Sequence, residues 1–157
     1  LEGGEYKFKC YYTPQLVNGR IFRNGNKALF FEPLVANSIA VYTYAMRLMY
    51  DYMMGVTCAE KTNANFMKAV QNIEDVISYY YMGGSTFESE FWTYATHMTK
   101  TRMDQREAFK QVMANYRSLK QRGILHSGPV YGFAPRTWEL VDKQMGYGLI
   151  EDVRPAI

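Results

Sequence analysis

Cysteine and histidine are scarce in this 157-residue chain, which contains two of each. Cys10 and Cys58 are far apart in the sequence and form no C-x-x-C pair, and His97 and His126 are too few to complete a zinc site. The expected state is therefore two buried free thiols in a reducing compartment, which favours a cytoplasmic location.

Excess charge is also small, at +3, and it argues against nucleic acid or membrane lipid as a partner. Basic side chains are concentrated in residues 100–122, where a solvated helix face is the preferred interpretation and phosphate binding the lesser one. No G-x-G-x-x-G fingerprint for a dinucleotide occurs anywhere in the sequence.

Short strands are predicted near the start of the chain. Residues 6–12 and 28–31 are rich in aromatic side chains, and two Asn-Gly turn signals lie between them, at Asn18-Gly19 and Asn24-Gly25. Two such strands form a hairpin or the edge of a larger sheet, because they cannot make a stable sheet alone.

Helical periodicity dominates the remainder, so we expect a mainly α fold. The predicted helices cover residues 37–54, 58–82, 86–99, 104–122 and 135–145. The first is apolar except for one narrow polar stripe and is expected to be central and buried. Ser/Thr-x-x-Glu capping boxes are expected to open the second and third helices, at Thr57 and Ser85. The third is expected to turn four side chains inward: Phe91, Tyr94, Ala95 and Met98.

Residues 30–39 (FFEPLVANSI) resemble the Phe-x-Glu-Pro-Leu-Glu-Ala-Thr-Ser segment of flavin-dependent tryptophan halogenases. In that family the segment turns into a long helix beside the flavin and near the halide. The resemblance implies a cofactor-side elbow with Pro33, Asn37 and Ser38 as binding residues. Val35 stands at the position of the family's catalytic Glu, so no catalytic residue is assigned within this chain.

A second stretch resembles the substrate-binding part of the same family. Tyr80 and Tyr81 end a helix, and Phe91 and Trp92 follow after a short Gly-containing turn. The resemblance implies that these four residues line the pocket of an aromatic substrate, and flat rings suit that role physically. Ordinary core packing is the alternative for such rings. A third and weaker similarity covers residues 133–146.

The resemblance implies a whole protein that uses FAD and a halide ion to halogenate an aromatic small molecule. Its flavin domain would lie N-terminal of Leu1 and would be the partner of this chain, which is expected neither to bind FAD nor to catalyse alone. Residues 1–34 would form the sheet remnant and elbow, and residues 35–157 one helical substrate-side unit. The alternatives are a degenerate, non-halogenating flavoprotein monooxygenase and a stand-alone helical interaction domain.

Overall fold

The computed structural model describes residues 9–31, 36–83, 85–105 and 135–147. Within these residues the chain is mainly helical, as predicted, with short antiparallel strand pairs near its start. Contacts group the chain into two compact units, Leu1–Ile73 and Glu74–Ile157. The boundary predicted after residue 34 lies outside the described residues and stays a prediction.

Four two-residue strands form two antiparallel pairs in the first unit. β1 (Tyr11–Tyr12) pairs with β4 (Leu29–Phe30), and both lie within the segments predicted to be strands. β2 (Val17–Asn18) and β3 (Ile21–Phe22) form a hairpin that the sequence interpretation did not include as strands. Gly19 has φ of +56° as the first of the two turn residues, so the Asn18-Gly19 turn signal is confirmed.

Two helices cover the strands of this unit. α1 spans Asn37–Met53, and α2 spans Ala59–Tyr81 and continues into the second unit. The side-chain amide of Asn63 on α2 accepts a hydrogen bond from the Val17 N–H and donates one to the Val17 carbonyl, both at 2.9 Å. This amide supplies the partner that a neighbouring strand would otherwise give to the hairpin.

α1 is buried on one face only, so the prediction of a central, buried helix is wrong. Val41, Ala45 and Leu48 are buried, whereas Ile39 and Met53 on the opposite face are each more than 60% exposed. A helix that is apolar on nearly all sides gives no contrast from which a buried face can be identified.

α3 spans Glu90–Gln105 rather than residues 86–99. The Ser85 hydroxyl accepts a hydrogen bond from the N–H of Phe87 inside the loop, and it is Ser89 whose hydroxyl accepts the N–H of Trp92 at the true helix start. The helix also runs through the predicted break before residue 104. Most of the predicted 104–122 helix lies outside the described residues.

The apolar face of α3 points to solvent, which contradicts the predicted inward face. Phe91 is 57% exposed, Tyr94 is 63% exposed and Met98 is 47% exposed. Thr99 is the buried residue of this helix, and Arg102 one turn later is partly buried in ion pairs. Polar contacts and not an apolar stripe therefore fix the orientation of α3.

The ends of α1, α2 and the last helix, α4, agree with the prediction to within one residue, but the capping residue predicted for α2 is wrong. α4 spans Pro135–Met145 and begins at the predicted proline. At the start of α2 the backbone carbonyl of Cys58 accepts the Thr62 N–H, while the hydroxyl of Thr57, the predicted cap, is buried without a hydrogen-bond partner.

The cysteine prediction is half right. Cys10 and Cys58 are free thiols, and both are exposed rather than buried. The thiol of Cys58 and the N–H of Glu60 itself lower the pKa of the Glu60 carboxyl, with the backbone bond the larger cause. Cys58 is the residue directly before α2.

Candidate functional site

The C-terminal end of α2 is held by Tyr147, just beyond α4. The Tyr147 hydroxyl accepts the N–H of Gly83 at 2.8 Å and donates to the carbonyl of Tyr79 at 2.7 Å. It thus satisfies backbone groups that a helix end leaves unpaired. The pKa of Tyr147 is raised, mainly by burial. The hydroxyl therefore stays protonated and can donate a hydrogen bond.

A second hydrogen bond joins the end of α2 to α4. The Tyr79 hydroxyl donates to Asp142 at 2.9 Å, and the Tyr79 and Tyr147 rings meet edge to face with centroids 5.1 Å apart. Tyr79 and Asp142 are both almost fully buried, so the bond satisfies a carboxylate away from water. The hydrophobic periodicity did not predict the Tyr79–Asp142 pair, because an Asp on an amphipathic helix is assigned by default to the solvent-exposed face.

The close packing of Tyr147 requires glycine at position 83. A Cβ atom there would lie 2.8 Å from Cε1 of Tyr147 and 2.6 Å from Cε of Met145. Gly83 was interpreted from the sequence only as a helix stop. It is also the residue that lets the chain pass over the Tyr147 ring and enter the loop before α3.

α3 is fixed against α2 by Arg102. Its guanidinium lies 2.6 Å from a carboxylate oxygen of Glu74 and 3.5 Å from one of Asp75, which is only 2% exposed. A buried carboxylate needs such a partner, because an isolated charge would be costly there. These ion pairs set which side of α3 faces α2.

Three of the four predicted substrate residues meet at the junction of α2 and α3. The Tyr81 and Trp92 ring centroids are 5.4 Å apart with planes at 32°, and Phe91 meets Trp92 edge to face at 5.1 Å. Tyr81 is the member of the tyrosine pair that joins this cluster. Tyr80 is half-buried beside it on α2, and burial raises its pKa. Adjacent helix residues point about 100° apart, which explains the division.

An open cleft of about 400 Å³ lies along α3 next to this cluster. Its aromatic surface comes from Trp92 and Phe87, and its polar surface includes Glu88, His97 and Lys100. Trp92 is thus the predicted substrate residue that reaches a described cavity, while Tyr81 and Phe91 pack against its ring. Such a combination of a flat ring and a few polar groups is typical of small-molecule sites.

A second cleft of about 520 Å³ shares Gly83, Thr96 and Lys100 with the first. It extends towards Asp104 and Tyr147. From the sequence, Lys100 belongs to a basic stretch for which a solvated helix face was preferred and phosphate binding was the lesser alternative, and spacing alone could not have placed it between two cavities. Across the part of the chain that the structure describes, no three His, Cys, Asp or Glu side chains converge as metal ligands.

The elbow before α1 is described from Ala36 onwards, so Pro33 lies outside the described residues. Asn37 is the first helical residue, and Ala36 occupies the cap position with φ of +55° and no side-chain hydrogen bond. The Ser38 hydroxyl is buried and has no hydrogen-bond partner among the residues described. The described residues thus provide one buried hydroxyl and the first-turn N–H groups at the start of α1.

Comparison of the chain with protein-family models, with curated proteins and with solved structures finds no match. Among the helices described, none combines the length and the apolar character needed to cross a membrane. The functional conclusion therefore depends on the residues and geometry above.

Proposed function

We propose that this chain is the C-terminal helical part of a flavin-dependent, halogenase-like oxidoreductase. It supplies the substrate-side wall and an elbow against the flavin, and it is inactive without a flavin domain. The carrying observation is the Tyr81–Phe91–Trp92 cluster, whose Trp92 ring lines a cleft at positions that the family resemblance assigns to an aromatic substrate.

The proposed reaction needs four reactants besides a proton: reduced flavin, oxygen, a halide ion and an aromatic substrate. Bound to the flavin domain, reduced flavin would supply two electrons, so that oxygen, a halide ion and a proton would turn a ring C–H into C–halogen, with oxidised flavin and two waters as the other products. In this chain, the Trp92 face holds the substrate ring, and the elbow at Ser38 lies towards cofactor and halide. Both placements belong to the proposal and are supported by the free Ser38 hydroxyl and the cleft at Trp92.

The test is an assay of the chain joined to its flavin domain, with reduced flavin, oxygen and bromide. We expect brominated aromatic product, and we expect Trp92→Ala to lower the product formed per flavin oxidised by at least about tenfold, since substrate positioning is lost. Tyr94→Ala is the matched control, because Tyr94 is an exposed aromatic of the same helix outside the cleft lining. Oxygenated product in place of brominated product would support the monooxygenase alternative.

One observation favours a second candidate, a helical protein-interaction domain. Phe91, Tyr94 and Met98 form a spaced apolar stripe on the exposed side of α3, and exposed apolar patches commonly mark interaction sites. If the chain is an interaction domain, Tyr94→Ala should abolish binding of its protein partner, whereas Trp92→Ala should not. The same variant pair therefore separates the two functions.

A further inference from the structure

The cleft along α3 has an uneven distribution of charge. Glu88 lies in the loop before α3, whereas His97 and Lys100 lie on later turns of the helix. Trp92, Thr96 and Lys100 are spaced four residues apart and so share one side of α3. The cleft thus has an acidic end before its aromatic residue and a basic end beyond it.

Lys100 is the cation of this cleft that has no partner among the described residues. The nearby Arg102 is held by Glu74 and Asp75, and its charge is already compensated. Lys100 is exposed and lines both clefts, and no described carboxylate forms an ion pair with it. Because no described residue compensates its charge, the exposed ammonium group can attract an anion that enters from solvent.

The separation of the two groups sets the size of a matching ligand. Eight residues of α-helix place the Cα atoms of Trp92 and Lys100 about 12 Å apart, and the flexible lysine side chain can reach across part of that distance. A ring against Trp92 with an acid group directly attached would not reach the ammonium. A flexible linker of a few atoms between ring and acid would.

We propose that this cleft binds an aromatic ligand that carries an anionic group on a short chain, with the ring against Trp92 and the anion at Lys100. Glu88 at the opposite end disfavours a second acidic group beside the ring. The inference rests on the proposed function, since it names the substrate class of the same site. It adds Lys100 as the residue that determines specificity for charge.

The test compares two probes that differ by one charge, 4-(4-fluorophenyl)butanoate and 4-(4-fluorophenyl)butanamide. Binding of each to the 157-residue chain is measured by ¹⁹F NMR line broadening at low ionic strength. We expect the acid to bind roughly three- to tenfold more tightly than the amide, the range of a partly exposed charge pair. The preference should shrink as salt is raised, because exposed charges are screened.

Variants then assign the preference to one residue. Lys100→Met should remove the preference for the acid, and Lys100→Arg should keep it. Lys68→Met is the matched control, because Lys68 is an exposed lysine on α2 away from both clefts. Circular dichroism of each variant checks that helix content is unchanged.

The outcomes separate this inference from the proposed function. Equal binding of acid and amide, both lost in Trp92→Ala, would overturn the role of Lys100 and leave the aromatic wall standing. An acid preference that survives Lys100→Met would likewise overturn the inference. Failure of both probes to bind the unaltered chain would count against the aromatic wall itself and against the inference with it.

Discussion

Gly83 and Tyr147 show how a single residue determines the local geometry of the clefts. The loop that leaves α2 passes over the Tyr147 ring at a distance that excludes a Cβ atom, and its N–H binds the ring's hydroxyl. Gly83 also lines both clefts. Any shift of this residue therefore changes both the end of α2 and the site.

We predict that Gly83→Ala destabilises the chain by about 1–3 kcal/mol, because the added methyl group overpacks against the Tyr147 ring. The Met145 Cε atom is slightly closer, but it is the end of a flexible side chain and can move aside. The measurement is urea unfolding followed by circular dichroism. In a Tyr147→Ala background the same change should be neutral or slightly stabilising, since the backbone at Gly83 is not in the left-handed region and alanine restricts the unfolded chain. Additive effects in this double-mutant cycle would contradict the direct contact.

Val35 is the residue at which the chain departs from the halogenase segment that it resembles. A Val side chain can neither donate nor accept a proton. We predict that the natural protein halogenates poorly and that Val35→Glu raises halogenation, because general acid assistance is typically worth roughly 10²–10⁴-fold.

The measurement for this change is halogenated product per flavin oxidised, with the chain joined to its flavin domain. Val35→Gln is the control, since it adds similar bulk without an acid. Efficient halogenation by the Val35 form, unchanged by Glu, would show that the acid is supplied by another residue.

At the scale of elements, the ends of α1, α2 and α4 were predictable, whereas the ends of α3 and the exposed faces of α1 and α3 were not. Gly and Pro signals and apolar spacing placed α1, α2 and α4 to within one residue, because these signals act locally on the backbone. The orientation of α3 depends on Arg102 reaching Glu74 and Asp75, which are 28 and 27 positions away in sequence. Hydrophobic periodicity cannot detect a buried ion pair, so the apolar stripe was assigned to the core.

The same limit applied to the candidate site. Tyr81, Phe91 and Trp92 were named from the sequence, and the structure brings their rings together. Lys100 and Tyr147 were not, because their roles arise from contacts across the fold. The family resemblance assigned only aromatic residues to the substrate pocket, so the charged residues that line the cleft were not predicted to belong to it.

The exposed face of α3 gives a direct test at this scale. We predict that Tyr94→Gln changes the free energy of unfolding by less than about 0.5 kcal/mol, as is usual for surface positions. Thr99→Gln on the same helix should cost about 1–3 kcal/mol, because the longer side chain enters a buried site. Chemical unfolding of the two variants, which receive the same new residue, decides the orientation. A larger cost at Tyr94 than at Thr99 would restore the inward face predicted from the sequence.

At the scale of the whole molecule, α2 is the element that belongs to both units. Its first part contacts the β2–β3 hairpin through Asn63, and Phe66 and Val70 in this part are buried. Its last turns carry Tyr79 and Tyr81, which contact α4 and the residues of α3. The boundary between the two units thus falls within this helix, and each part of the helix makes its contacts inside its own unit.

The division of roles between this chain and a flavin domain leads to the last prediction. The sequence has no dinucleotide fingerprint, and the part of the elbow that the structure describes contributes the polar groups at the start of α1, among them Ser38. Tight binding of a ligand as large as FAD needs many more contacts to offset the freedom lost on association. We therefore expect no saturable quenching of flavin fluorescence when FAD is titrated with the 157-residue chain. The chain joined to its flavin domain should quench it with a defined midpoint, and in that protein Ser38→Ala should weaken binding while Thr43→Ala, on the exposed side of α1, should not. Micromolar binding of FAD by the isolated chain would contradict the assignment of the cofactor to a separate domain.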